Sequence, residues 1–86
     1  MTAKTVHVRY FASIREAVGR DGERLSTGAA TVGELRRELM ARGAPWAECL
    51  APGRAVRMAL DQMMASGEAV LLDGAEVAFF PPVTGG

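Results

Sequence analysis

The chain has 86 residues, enough for one domain but with little room for a deep pocket of the kind, about 300–1,000 Å³, that usually holds a drug-sized ligand. Ten Lys and Arg balance ten Asp and Glu, and the arginines are scattered, so the basic excess that marks a nucleic-acid binder is missing. A single cysteine, Cys49, excludes an internal disulfide framework. With no signal-like segment after Met1–Lys4 and no apolar run near the ~20 residues of a bilayer span, a soluble cytoplasmic protein is expected.

Thr5–Phe11 alternates Val6, Val8 and Tyr10 with His7 and Arg9, the period of a half-buried strand. Ala12–Val18 follows with Ile14, Ala17 and Val18 at helical spacing, and Gly19 is placed to end that helix in a left-handed conformation. Asp21-Gly22 predicts a turn into a short polar strand over Glu23–Ser26. Thr31-Val32-Gly33-Glu34 fits a capping box, and Val32, Leu35 and Leu39 then line one face of a helix expected to reach Arg42. Gly43 and Pro45 close it.

Trp46–Leu50 predicts one further helical turn. Val56–Leu60 is read as a strand, because Val56, Met58 and Leu60 alternate. Met63–Gly67 is read as a connection, Ala69–Leu72 as a short apolar run, and Asp73-Gly74 as a turn. Glu76–Phe80 is the last strand. Pro81-Pro82 ends it, since proline has no N–H for the ladder.

Strand, short helix, strand, long helix, strands is an α+β order. A β-grasp arrangement satisfies it: the first and last strands lie side by side at the centre of a small mixed sheet, and the main helix crosses one face. The expected organisation is a domain over residues 1–80 and an extended functional tail over 81–86.

Each part of that tail has a physical reading. Val77 and Phe79 share one face of the last strand, so Phe80 points to the other and suggests a partner surface. The two prolines hold the chain extended, and Pro81–Gly86 reaches at most about 20 Å. Gly85 and Gly86 lack a Cβ, so this backbone suits a narrow channel that brings a carboxylate to a reacting centre. A carboxylate is a poor electrophile until it is activated, for example as an acyl-adenylate. A partner holding ATP can supply that step, after which a sulfur nucleophile displaces AMP and leaves a thiocarboxylate. No catalytic side chain is then needed on the carrier, because the partner positions the reactants.

The run Asp73-Gly74-Ala75-Glu76-Val77-Ala78-Phe79-Phe80-Pro81-Pro82-Val83-Thr84-Gly85-Gly86 closely resembles the end of the small subunits of molybdopterin synthase. Val8-Arg9-Tyr10-Phe11-Ala12 with Ile14-Arg15-Glu16, Thr31-Val32 with Leu35, and Ala59-Leu60-Asp61-Gln62 are similar to that family's earlier segments. The family usually carries an acidic residue where Ala75 stands, and Met63–Gly67 is less polar than its pattern. The resemblance implies a ubiquitin-like β-grasp fold. It also implies a thiocarboxylate on Gly86, with Gly85 beside it, that passes sulfur to a cyclic pyranopterin precursor to form the molybdopterin dithiolene. Phe80, Pro81, Pro82, Val83 and Thr84 would contact the larger synthase subunit, which supplies the catalytic residues, in an assembly of two small and two large subunits. The carrier binds no cofactor or metal; a separate adenylating enzyme uses ATP, and a sulfur-donor protein reloads Gly86. The alternatives are a carrier for thiazole synthesis, whose relatives lack the Phe-Phe-Pro-Pro-Val-Thr run, a protein modifier joined to lysines through Gly86, and an interaction domain with an inert tail.

The remaining reactive residues read as structural. Cys49 has no activating neighbour in sequence and is expected to be buried. His7 falls on the polar phase of its strand, and one His with one Cys gives no zinc pattern. The glycines form no phosphate loop. Trp46 is expected to anchor a small core, Met58, Met63 and Met64 to lie in core or turn, and Arg9 and Arg15 to be solvated.

Overall fold

A computed structural model describes residues 3–82. Its elements run β1 (Lys4–Tyr10), α1 (Ala12–Val18), β2 (Gly22–Thr27), α2 (Val32–Met40), α3 (Trp46–Cys49), β3 (Arg57–Leu60), β4 (Met63–Ala65) and β5 (Glu76–Phe80). The five strands form one sheet in the order β2-β1-β5-β3-β4. β1 and β5 pair in parallel, Val8 opposite Val77 and Tyr10 opposite Phe79, and every other pairing is antiparallel. The expected central pair of first and last strands is therefore present.

Strand alternation fixes which side chains meet the helices. Val6, Val8, Tyr10, Val77 and Phe79 turn to the concave face and are almost wholly buried with Ile14 of α1 and Val32, Leu35 and Leu39 of α2. Phe79 stacks on Tyr10 at 6.4 Å between ring centroids. Thr31 caps α2 as expected: its hydroxyl accepts the Glu34 N–H at 3.2 Å. The return half of the box is displaced by one residue, since Glu34 Oε1 accepts from the Ala30 N–H.

Several boundaries differ from the sequence reading: β1 lies at Lys4–Tyr10, β2 runs on to Thr27 and α3 stops at Cys49. α2 ends at Met40, with Ala41 as its cap. β2 begins at Gly22, where a Cβ would stand 2.9 Å from the Val8 carbonyl oxygen, so the expected turn glycine serves close strand approach instead. β3 begins at Arg57 and leaves Val56 just outside. Met63–Ala65, read as a connection, is a fourth strand, held by antiparallel pairing to β3 across a two-residue turn in which Asp61 and Gln62 both have positive φ. Met63 (73% exposed) and Met64 (63%) lie on this edge strand, not in a core or turn, because nothing among the described residues packs over the sheet edge.

Candidate functional site

β5 carries the tail. It is hydrogen-bonded on both sides, by β1 and β3, and its β-branched and aromatic residues suit that central place. Val77 and Phe79 are fully buried on the concave side, so the strand's end is anchored within the core. The Phe79 carbonyl still accepts the Phe11 N–H at 3.2 Å, the last rung on the β1 side before the prolines. Pro81 and Pro82 follow, half-buried and outside any strand. Pro81 borders a groove of about 320 Å³ whose walls include Ser13 and Ala17 of α1, Cys49 of α3, Arg54 and Val56. Val83, Thr84, Gly85 and Gly86 lie outside the described residues.

Phe80 points to the opposite, convex face, as its phase in the strand requires, and is half-buried. There it joins Phe11, Ala59, Ala78, Gln62 and Glu76 around a shallow, open and largely apolar hollow. Met64, paired with Ala59 across β3 and β4, belongs to the same face. Phe11 was not among the sequence candidates. It continues the outward phase of His7 and Arg9, and that parity was the signal available. Its meeting with Phe80 depends on the parallel β1–β5 register.

The other candidates take the following places. His7, Arg9 and Arg15 are exposed, as their sequence positions suggest. Cys49 is half-buried instead of buried, because α3 lies over the edge of the core and borders the Pro81 groove. Burial pushes its thiol pKa up more than nearby Arg54 lowers it, which leaves it a poor nucleophile. Trp46 packs on the core rim, and its indole N–H also donates to Tyr10 Oη at 3.1 Å. Tyr10 Oη in turn donates to Glu23 at 2.7 Å, and Arg42 grips Glu23 through both terminal nitrogens at 2.8 and 3.0 Å. Among the described residues, no group of three or more His, Cys, Asp or Glu side chains could hold a metal ion, and no helix is long and apolar enough to cross a membrane.

This arrangement offers an outward aromatic face, a strand hydrogen-bonded on both sides and a proline-bounded exit. Comparison with known proteins points the same way. The chain is 42% identical over 81 residues to the molybdopterin synthase sulfur carrier subunit of Escherichia coli K12, covering 94% of this chain and 99% of that one. It superposes on the solution structure of the Haloferax volcanii HVO 2177 protein with a TM-score of 0.79 and 31% identity, over 98% of this chain and 88% of the other. It also superposes on a chain of the complex between subunits 1 and 2 of the molybdopterin-converting factor from Helicobacter pylori, with a TM-score of 0.61 and 28% identity, over 95% and 99% of the two chains. The ThiS family model matches residues 8–86, and the chain belongs to that family, whose ubiquitin-like β-grasp fold it has.

Proposed function

We propose that this chain is the sulfur carrier subunit of a molybdopterin synthase and that its working group is the carboxylate of Gly86. The observation that carries this reading is the end of β5: a strand locked in the sheet centre, an outward Phe80 in an apolar hollow and a double proline, on a chain 42% identical to a named sulfur carrier subunit over nearly its full length. The rigid strand sets where the tail starts, and the prolines keep it from rejoining the sheet.

The chemistry follows from the carboxylate. An adenylating enzyme transfers AMP from ATP to Gly86 and releases pyrophosphate. A sulfur donor at the sulfide oxidation level attacks the acyl carbon, AMP leaves, and a thiocarboxylate remains. The tail then enters the larger subunit, where that sulfur passes to a cyclic pyranopterin precursor and the carboxylate is regenerated. A dithiolene contains two sulfur atoms, so each product consumes two loaded carriers, which suits an assembly of two small and two large subunits. The catalytic side chains belong to the larger subunit, since binding and orientation are all the carrier has to provide.

Fragmentation of the C-terminal peptide from protein isolated in its native cells tests this reading. Exchange of oxygen for sulfur gives the same nominal mass change as methionine oxidation, but no Met or Cys follows Met64, so a shift localised to Gly86 is diagnostic. A thiocarboxylate is expected there. Gly86 left unmodified after incubation with ATP, a sulfur donor and the adenylating enzyme overturns the carrier chemistry. Reductant-resistant conjugates to lysines would instead favour a protein modifier.

A further inference from the structure

The chain as a whole is electrically balanced, yet its cations are unequally satisfied. On the helix side, Arg36 donates to the Leu50 and Ala51 carbonyls, Arg54 to the Glu48 carbonyl, and Arg20 and Arg42 to Glu23, while Arg15 and Arg37 are exposed and make no such bond among the described residues. On the convex face, Arg9, Arg24 and Arg57 are exposed and make no hydrogen bond or ion pair among the described residues. The carboxylates at this face are engaged elsewhere: Asp61 accepts the Glu76 N–H at 3.0 Å and Asp73 the Thr5 N–H at 2.7 Å. Glu76 remains, directly opposite His7, while Arg24 flanks His7 on its other side.

The register shows where these cations stand. Arg57 is paired directly with Phe80 across β3 and β5, and Arg9 with Ala78 across β1 and β5. The Arg9 guanidinium lies over the Phe11 ring, 5.4 Å from its centroid. Stacking of this kind holds a guanidinium in place while leaving its N–H groups free. The apolar hollow at the root of the tail is therefore bracketed by two guanidinium groups without a partner among the described residues, one on each side of Phe80.

We infer that Arg9 and Arg57 form a two-sided electrostatic clamp that recognises carboxylates on the larger synthase subunit, placed either side of the apolar seat for Phe11 and Phe80. The inference rests on the carrier reading above and adds what selects and orients the partner. Rim charges of this type steer encounter and fix register, whereas the apolar centre supplies most of the holding energy. Orientation matters here, because the tail reaches at most about 20 Å beyond Phe80 and a misaligned carrier would deliver Gly86 to the wrong place.

The experiment is calorimetric titration of the cognate larger subunit with wild-type carrier, the double variant Arg9→Glu/Arg57→Glu and the double variant Arg9→Lys/Arg57→Lys, at about 0.05 M and about 0.5 M salt. The charge reversal is expected to raise Kd about tenfold or more at low salt, with the gap closing at high salt, while the lysine variant stays within about threefold of wild type. Melting temperatures should match, since both residues are exposed. A reversed-charge carrier that binds with unchanged Kd and unchanged salt dependence overturns the clamp and leaves the carrier reading standing. Wild-type carrier that does not bind the larger subunit at all overturns the carrier reading itself.

Discussion

Glu23 shows how one residue organises the rim of the core. Its carboxylate accepts from Tyr10 and from both arms of Arg42, with Arg20 at 3.5 Å, and Trp46 lies beneath the Arg20 and Arg42 guanidinium groups. Burial alone would raise this carboxyl's pKa. The hydrogen bonds from Arg42 and Tyr10, with the charges of Arg42 and Arg20, outweigh that and hold it below the ordinary 4.5. For Tyr10, burial and the Glu23 carboxylate both push the phenol upward, so it stays protonated and serves as a donor. A carboxyl depressed on folding contributes stability that is fully present above its unfolded pKa and is lost as pH falls through the folded value. Glu23→Gln should therefore cost about 1–3 kcal/mol at neutral pH. Denaturant melts should show the gap between wild type and variant constant down to about pH 5 and closing below about pH 4.5.

At the scale of elements, the docking of α2 depends on Gly33. The Gly33 N–H donates to the Gly67 carbonyl at 2.8 Å, and a Cβ on Gly33 would lie 2.9 Å from that same oxygen, which is backbone and cannot swing away. A Cβ on Gly67 would meet only ordinary contact at 3.4 Å. Gly33→Ala should thus destabilise by about 1–3 kcal/mol despite alanine's better helix propensity, while Gly67→Ala stays within about 0.5 kcal/mol; chemical denaturation of both distinguishes them. No reading of the chain could foresee this approach, because it joins residues from separate elements. β1, α1, α2 and β5 were legible, since each carries its own periodicity and α2 its cap. β4 was not: two exposed methionines give no alternation to read, and the Asp61-Gln62 turn adopts a left-handed backbone without glycine. Leu71, fully buried where its segment crosses the start of α2, was visible only as part of an apolar run. In the site, Phe80 was legible from strand phase alone, whereas Phe11 becomes its neighbour only once β1 and β5 are known to run in parallel.

For the molecule as a whole, the two faces of β5 divide labour between neighbouring side chains. Phe79 lies in the core on one side and Phe80 in the apolar hollow on the other. Phe79→Ala should cost about 3–5 kcal/mol, a large share of a small domain's stability. Phe80→Asp should leave the melting temperature close to wild type but weaken association with the larger subunit at least tenfold, which thermal melts and calorimetry on the same pair of variants will separate. The parallel union of β1 with β5 has a further consequence for biosynthesis. The first strand to leave the ribosome must wait for the last before the middle of the sheet exists, and the two nearest local pieces, β1 with β2 and β3 with β4, remain unjoined until then. A prematurely terminated product lacks β5, exposes Val8 and Tyr10, and is open to proteolysis before it can meet a partner. The sheet therefore cannot close until the whole of β5 has been synthesised.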